Sequence, residues 1–406
     1  MDNVFREMLS GSGRSVAYMT EEITHICRNM KKRAPGSAGE REAAEYMAGA
    51  LRRDCGCGDV RLETFGEHPA AFFASFRLYA ALDVLAAVGN FIHPWVCILF
   101  GCVSLLVFSF ELALYRRAID PFFPKAESCN VTAIRPCAGT VKRRVFLNGH
   151  LDAAYEFTLN YRFGGEVFEI PGVMALIGVL VCMTVAVCAL CGAGAWTGTA
   201  ARWGLLFIPF FVLVGCTHDR SRVVDGANDN LTGCYMGIAL LKAMEESGIT
   251  LEDTEIGVIL TGSEEAGLRG ARAWCERHGD DYRDVPTFIV TYDTIHDPKY
   301  LMVNERNLNG LLKSDAGLCE VFLRAAKDVN VPCRRGWVPP FGGATDTVPF
   351  TQCGFRSMGV TGLNHRLEDY YHTRRDTWDN LDPQGLDNCY RATVRMLERI
   401  DAGELD

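Results

Sequence analysis

Thr254-Glu-Ile-Gly-Val-Ile-Leu-Thr-Gly-Ser-Glu264-Glu265-Ala-Gly-Leu-Arg-Gly270 is a β-rich run that ends in two adjacent glutamates at a glycine-rich turn. The β-branched residues predict a strand, and the glycines mark its end. Neighbouring carboxylates repel, so such a pair is costly unless a cation neutralises one of them and a proton or water occupies the other. On that argument one glutamate ligates and the other works as a base, with a solvated acidic turn as the bland alternative.

Four further segments place metal-type ligands near strand ends, where open α/β sheets build their sites. Arg144-Val-Phe-Leu-Asn-Gly-His150-Leu-Asp152 is an apolar run ending in His-x-Asp. There His150 can ligate a metal, and Asp152 can hold its ring from behind and fix its tautomer. Asp225-Gly-Ala-Asn-Asp229-Asn-Leu-Thr-Gly233 is a turn opening a helix from Leu231 to Glu245. A carboxylate there can bridge two cations, or simply cap the helix. Thr287-Phe-Ile-Val-Thr-Tyr-Asp293 is another strand ending in a carboxylate, and Glu368-Asp-Tyr-Tyr-His372-Thr-Arg-Arg-Asp-Thr377 places a histidine beside two tyrosines in a polar loop. Each segment alone has a bland reading as a cap or loop; their joint occurrence in this order does not. The other histidines (His25, His68, His93, His218, His278, His296 and His365) match no ligand position and are expected at surfaces, interfaces or helix ends. No Gly-x-Ser-x-Gly elbow occurs, which argues against serine hydrolysis.

Two apolar blocks interrupt this pattern. The first, Phe72 to Tyr115, is divided near His93-Pro94, and Pro94 to Phe110 carries no charge. The second starts at Ile170 and runs to Trp196 without a charge, long enough to cross a hydrocarbon core of about 30 Å. A shorter run, Trp203 to Thr217, follows it. The blocks predict two membrane hairpins that each leave and return on the same side. Arg77, Arg116, Arg117, Lys125, Arg162, Arg220 and Arg222 flank them on the catalytic side, while the far turns carry only Arg202. By the positive-inside tendency the catalytic part faces the cytoplasm. Met1 to Glu67 is polar, so no signal peptide is expected.

Of the 406 residues, 49% are hydrophobic, high for an enzyme that faces water on all sides. A net charge of −9 offers no footprint for nucleic acid. The 17 cysteines follow no spaced framework, and six lie in the apolar blocks, so reduced thiols are expected.

The set His150-x-Asp152, Gly226-Ala-Asn-Asp229-Asn-x-x-Gly233, Glu264-Glu265-x-Gly267-Leu268, Asp293 and Tyr371-His372-Thr373 with Asp376-Thr377 resembles the di-zinc exopeptidases. That family includes bacterial leucyl aminopeptidases, glutamate carboxypeptidases and glutaminyl cyclases. The resemblance extends to Arg33-Ala-Pro-Gly36-Ser37 and to Gly343-Ala-Thr-Asp346-Thr-Val-Pro-Phe350, which is similar to the family's substrate-side loop. It does not cover the apolar blocks.

The resemblance implies an α/β fold: a mixed, mostly parallel sheet of about eight strands sandwiched by helices, zinc exopeptidase-like, here interrupted by two helical membrane hairpins. Residues 1–71, 116–165 and 218–406 would form the catalytic domain, with insertions at 72–115 and 166–217. Two zinc ions per chain are implied, although imidazole and carboxylate ligands accept other divalent metals. Asp229 would bridge them, His150 and Asp293 completing one position and Glu265 and His372 the other. Glu264 would be the general base, Asp152 its catalytic partner, and Asp346 and Tyr371 substrate-binding residues. The expected activity is that of a membrane-attached aminopeptidase hydrolysing an amide bond at a chain terminus. Its partners would be a peptide or N-acyl amino acid and the lipid bilayer, not nucleic acid. The alternatives are a glutaminyl cyclase-like acyltransferase and a non-catalytic relative acting as an interaction module.

Overall fold

The computed structural model of this chain describes residues 3–339, 342–364 and 368–405. His365, set aside above as a non-ligand, lies outside them. Eleven strands are formed: β1 Asp59–Glu67, β2 Ala126–Arg135, β3 Arg143–His150, β4 Tyr155–Phe157, β5 His218–Val223, β6 Thr254–Thr261, β7 Thr287–Ile295, β8 Met302–Asn307, β9 Leu312–Lys313, β10 Arg334–Trp337 and β11 Arg356–Gly362. The first helices are α1 Asn3–Ser10, α2 Ser12–Asn29, α3 Ala38–Asp54, α4 Pro69–Gly89, α5 Pro94–Val107, α6 Thr158–Phe163 and α7 Gly165–Leu190. They are followed by α8 Trp196–Gly204, α9 Ile208–Gly215, α10 Thr232–Glu246, α11 Arg269–His278, α12 Ala316–Asp328, α13 Thr347–Cys353 and α14 Pro383–Asp401.

Nine strands make one sheet in the order β1-β2-β6-β3-β7-β11-β8-β10, with β9 on β8. The central four, β6-β3-β7-β11, are parallel, while β1, β2 and β8 join antiparallel. The sheet is therefore mixed with a parallel centre, and the ninth strand is the two-residue β9, too short to leave a pattern in the sequence. Its residues alternate between two cores. Val145, Leu147, Val258, Leu260 and Val290 pack with α2, α3, α10 and α14 on one face. Phe146, Ile259 and Ile289 point the other way, against Trp274 of α11 and Phe350 of α13. Cover on both faces explains why the central strands read as apolar runs rather than alternating ones.

The chain before β1 forms three helices, the first two parted at Gly11. The loop after Arg33 ends at Ser37, whose hydroxyl accepts from the Glu40 amide while Glu40 reaches back to the Gly36 amide. This is a reciprocal helix start. The short ribbon β4–β5, which closes the base of the second apolar block, had no sequence signal.

The apolar blocks form four helical runs, Pro69–Gly89, Pro94–Ala113, Gly165–Leu190 and Trp196–Gly215, each long and apolar enough to cross a membrane. The first break falls at His93-Pro94 as expected, with the His93 ring accepting from the Trp95 amide. Helices α4, α5, α7 and α9 pack in a closed ring around their own core, which includes Tyr79, Cys97, Cys182 and Phe211. The outward side chains are apolar and bare, Ile92 at 74% and Leu99 at 61% exposed. All 17 cysteines are free among the described residues.

Candidate metal centre

The strand ends that carry the motifs are neighbours in space. β6, β3 and β7 are adjacent and parallel, so Glu264–Glu265, His150 and Asp293 emerge at one edge of the sheet. The turn before α10 brings Asp229 to the same edge, and the loop after β11 brings His372. The backbone there is held tightly. Ser263, Leu268, Thr294 and His372 all have left-handed φ between 51 and 61°. Such conformations cost about 1–3 kcal/mol each and persist only where the surroundings over-determine them.

Those surroundings are specific. Arg33 is buried and donates to the carbonyls of Leu151, Asp225 and Gly226 at 2.7, 2.8 and 2.9 Å, tying the His150 loop to the Asp229 turn. Asp376 accepts from the amides of Asn228 and Asp229 at 2.8 and 3.1 Å. Asn230 donates to the Tyr292 carbonyl at 2.8 Å, which ties the same turn to β7. Asp152 accepts the consecutive amides of Glu264 and Glu265, one on each oxygen, both at 3.0 Å. It also lies against His150 Nδ1, through its backbone carbonyl at 3.2 Å and its carboxylate at 3.4 Å. Asp152 thus orients the glutamate turn and the histidine ring together.

Asp229 stands at the middle. Its Oδ1 is 3.1 Å from His150 Nε2, and its Oδ2 is 2.9 Å from His372 Nε2. His372 Nε2 is 3.2 Å from Glu265 Oε1, and His150 Nε2 is 4.0 Å from Glu264 Oε2. The close groupings of ligand atoms are His150 with Asp229 and Asp293, His150 with Glu264 and Glu265, and Asp229 with Glu265 and His372. All five expected ligand residues are therefore brought together, with Asp229 common to both halves.

The charges are unbalanced. Burial and the neighbouring carboxylates push Glu264 well above the ordinary range, and burial with Asp229 raises Asp293 to about 7. Burial would also raise Asp229, but the hydrogen bonds from His150 and His372 outweigh it and hold this carboxyl below its usual value. Burial lowers His372, yet Glu265 and Asp229 overcome that and lift it to about 10. Glu265 Oε1 is buried with no hydrogen bond of acceptable geometry among the described residues. Buried carboxylates in excess of their donors, facing two imidazoles, fit divalent cations of the zinc type.

One expectation shifts. Asp346 is 1% exposed and takes the Thr261 hydroxyl, so its carboxylate is turned inward beside His150 and Glu264, with no surface for a substrate. The sequence resemblance could not show this, because the loop is matched by its residues and not by their direction. His218, expected at a surface, interface or helix end, lies at an interface, against Phe73 and Phe76 of α4 and Phe157 of β4, and burial followed by His372 drives it down to about 3. Tyr371 stacks on His372 with centroids 4.1 Å apart, at the site as expected. The sequence carries a signal for Arg33 only through the motif Arg33-Ala-Pro-Gly36-Ser37, which gives it no role.

Comparison with known proteins agrees with this geometry. No curated protein matches the sequence. Among solved structures, a zinc aminopeptidase from Bacillus subtilis is 12% identical, with 95% of each chain covered and a TM-score of 0.57. LapB from Legionella pneumophila is 13% identical, covering 100% of this chain and 76% of that one, with a TM-score of 0.58. A glutaminyl cyclase from Porphyromonas gingivalis is 11% identical, covering 97% and 98%, with a TM-score of 0.54. At these identities the likeness is one of fold. Residues 208–397 match peptidase family M28. Asp229, Glu264, Glu265, Asp293 and His372 all lie within that matched stretch, and the chain shares its fold with the zinc aminopeptidase.

Proposed function

We propose that this chain is a membrane-attached, two-zinc aminopeptidase that removes the terminal residue of a peptide or hydrolyses an N-acyl amino acid. The observation that carries it is Asp229, whose two oxygens face two different histidines, each backed by a further carboxylate. His150, Asp229 and Asp293 would hold one ion, and Asp229, Glu265 and His372 the other. Zinc held by these residues would supply Lewis acidity toward the scissile carbonyl and toward water. Glu264 takes the proton of the attacking water on its carboxylate and delivers it to the leaving amine nitrogen. Asp152 keeps Glu264 and Glu265 apart and aimed by holding both amides. Tyr371, stacked on His372, is the hydroxyl on the substrate side.

In this reading residues 1–71, 116–165 and 218–406 act as the catalytic domain, and the apolar insertions 72–115 and 166–217 as two hairpins in the bilayer, with catalysis on the cytoplasmic side. One structural neighbour is a glutaminyl cyclase, so cyclisation is the competing reading. Elemental analysis of detergent-purified protein, with a panel of unblocked, N-blocked and N-terminal glutaminyl peptides, separates the two. About two zinc ions with chelator-sensitive release of free amino acid is expected. One ion with ring closure of the glutaminyl peptide, and no hydrolysis, would establish the cyclase instead.

A further inference from the structure

The two histidines of the site are held differently. His150 has Asp152 behind its Nδ1, the usual arrangement in which a hydrogen bond to the far ring nitrogen fixes a ligating imidazole. His372 Nδ1 is buried and has no hydrogen-bond partner among the described residues. Its ring is instead packed against Tyr371 and against Phe157, whose centroid lies 4.4 Å away.

Phe157 belongs to β4, at the base of the second apolar pair, and that segment grips the His372 loop along its length. The Phe157 amide donates to the His372 carbonyl at 2.8 Å. Asn160 Nδ2 donates to the Tyr371 carbonyl at 2.6 Å, and Glu156 takes Arg374 through Nε at 2.7 Å and Nη2 at 2.6 Å. Behind Phe157 the contact continues into the helical ring. His218 lies edge-on to Phe157 at 5.0 Å, and Phe76 of α4 lies against His218 at 4.6 Å. A chain of ring contacts thus runs from a helix of the apolar unit to the imidazole.

We propose that Phe157, supported by Asn160 and His218, is the positioning residue for His372, so that the base of the apolar unit sets metal affinity in the half of the site built on His372. This rests on the two-ion reading given above. The Phe157 ring fixes the direction of Nε2 toward Asp229 and Glu265 by packing alone, and an aliphatic side chain of smaller area leaves the imidazole free to turn.

The test is metal binding by the full-length protein, purified in detergent and dialysed against buffers of fixed free zinc. The parent is expected to hold two ions. Phe157→Leu is expected to keep one at parental affinity and to bind the second about 10- to 100-fold more weakly. Its kcat should fall and recover at high zinc, with KM little changed, whereas Phe157→Tyr should stay within about threefold of the parent. Two tight ions in Phe157→Leu would overturn the proposal. Should that variant lose both ions together with its melting transition, Asn160→Asp, which alters charge and hydrogen bonding but not volume, decides: a weakened second ion supports the positioning role and parental affinity overturns it. A parent that binds fewer than two ions overturns the two-ion reading itself.

Discussion

At the scale of single residues, the question is which carboxylate does the chemistry and which ones hold it in place. Glu264 touches no cation of the protein closely, its nearest being His150 Nε2 at 4.0 Å, whereas Glu265 lies 3.2 Å from His372. Glu264→Gln should therefore keep its full metal content and lose about 10²- to 10⁴-fold in kcat, the usual contribution of a general base. Zinc content and turnover measured on one preparation check this, and unchanged turnover would remove Glu264 from the role. Glu67 offers a test of a different kind. Its carboxylate is 3% exposed beneath the glutamate turn, and burial, eased by the Ser263 hydroxyl, lifts it from 4.5 to about 7. The folded chain thus keeps a proton there that the unfolded chain has lost, so stability falls as pH rises from about 4.5 to about 7 and stays lower above that. Glu67→Gln should then be more stable than the parent above pH 7, by at most about 3 kcal/mol, with the gain vanishing toward pH 4.5. Melting curves of chelator-treated protein at pH 5 and pH 8 decide it: an equal difference at both pH values would show that the carboxyl is not raised.

At the scale of elements, the site exists because a strand and a helix start approach unusually closely. A side chain at Gly149, the residue before His150 in β3, would place its Cβ 2.4 Å from the Cys234 amide nitrogen and from the Gly233 carbonyl carbon of α10. A side chain at Gly233 would meet Asn230 Oδ1 at 2.4 Å and the Tyr292 carbonyl at 2.5 Å. These obstacles are mainly backbone and cannot swing aside. Gly149→Ala should therefore cost more than the roughly 1–3 kcal/mol of ordinary overpacking and separate His150 from Asp229. Chemical denaturation and zinc content should fall together; a stable variant with full zinc would show that β3 and α10 can part without disturbing the ligands. The same elements show what the sequence made legible. Strands ending in His150, Glu264–Glu265 and Asp293 were readable because each is an apolar run stopped by glycine or a carboxylate, and the helix after Asp229 because a Gly/Asn turn opens it. The inward direction of Asp346 was not, since a loop motif carries residue types but no orientation. Nor was the cluster around His218: Phe73 and Phe76 lie in the first apolar insertion and Phe157 in the catalytic segment ahead of the second, and only their packing brings the rings together.

For the whole molecule, the four apolar helices present the kind of surface that the proposed bilayer crossing needs. The ring of α4, α5, α7 and α9 has its own core, yet its outer face leaves large apolar side chains such as Leu85, Leu99 and Ile177 bare. Trp95 and Trp196 are 62% and 53% exposed at the ends remote from the sheet, where an aromatic belt would meet the far headgroups. Helix α7 spans 26 residues, about 39 Å, longer than a hydrocarbon core of about 30 Å. Its excess lies at the start, where Glu166 and Glu169 precede the uncharged stretch, so in the proposed membrane reading the helix would cross from Ile170 onward, with its first turn left beside the catalytic elements. Arg77, Arg162, Arg220 and Arg222 gather at that same end, against Arg202 alone near the other. A reporter active only outside the cytoplasm, inserted in the exposed turn at Gly194, should therefore be active, while the same reporter fused after Asp401 should be silent. The protein should also remain with the membrane through alkaline carbonate extraction. The opposite reporter pattern would invert the orientation and put catalysis on the outer face; release by carbonate would mean that the apolar faces are covered by protein and not by lipid.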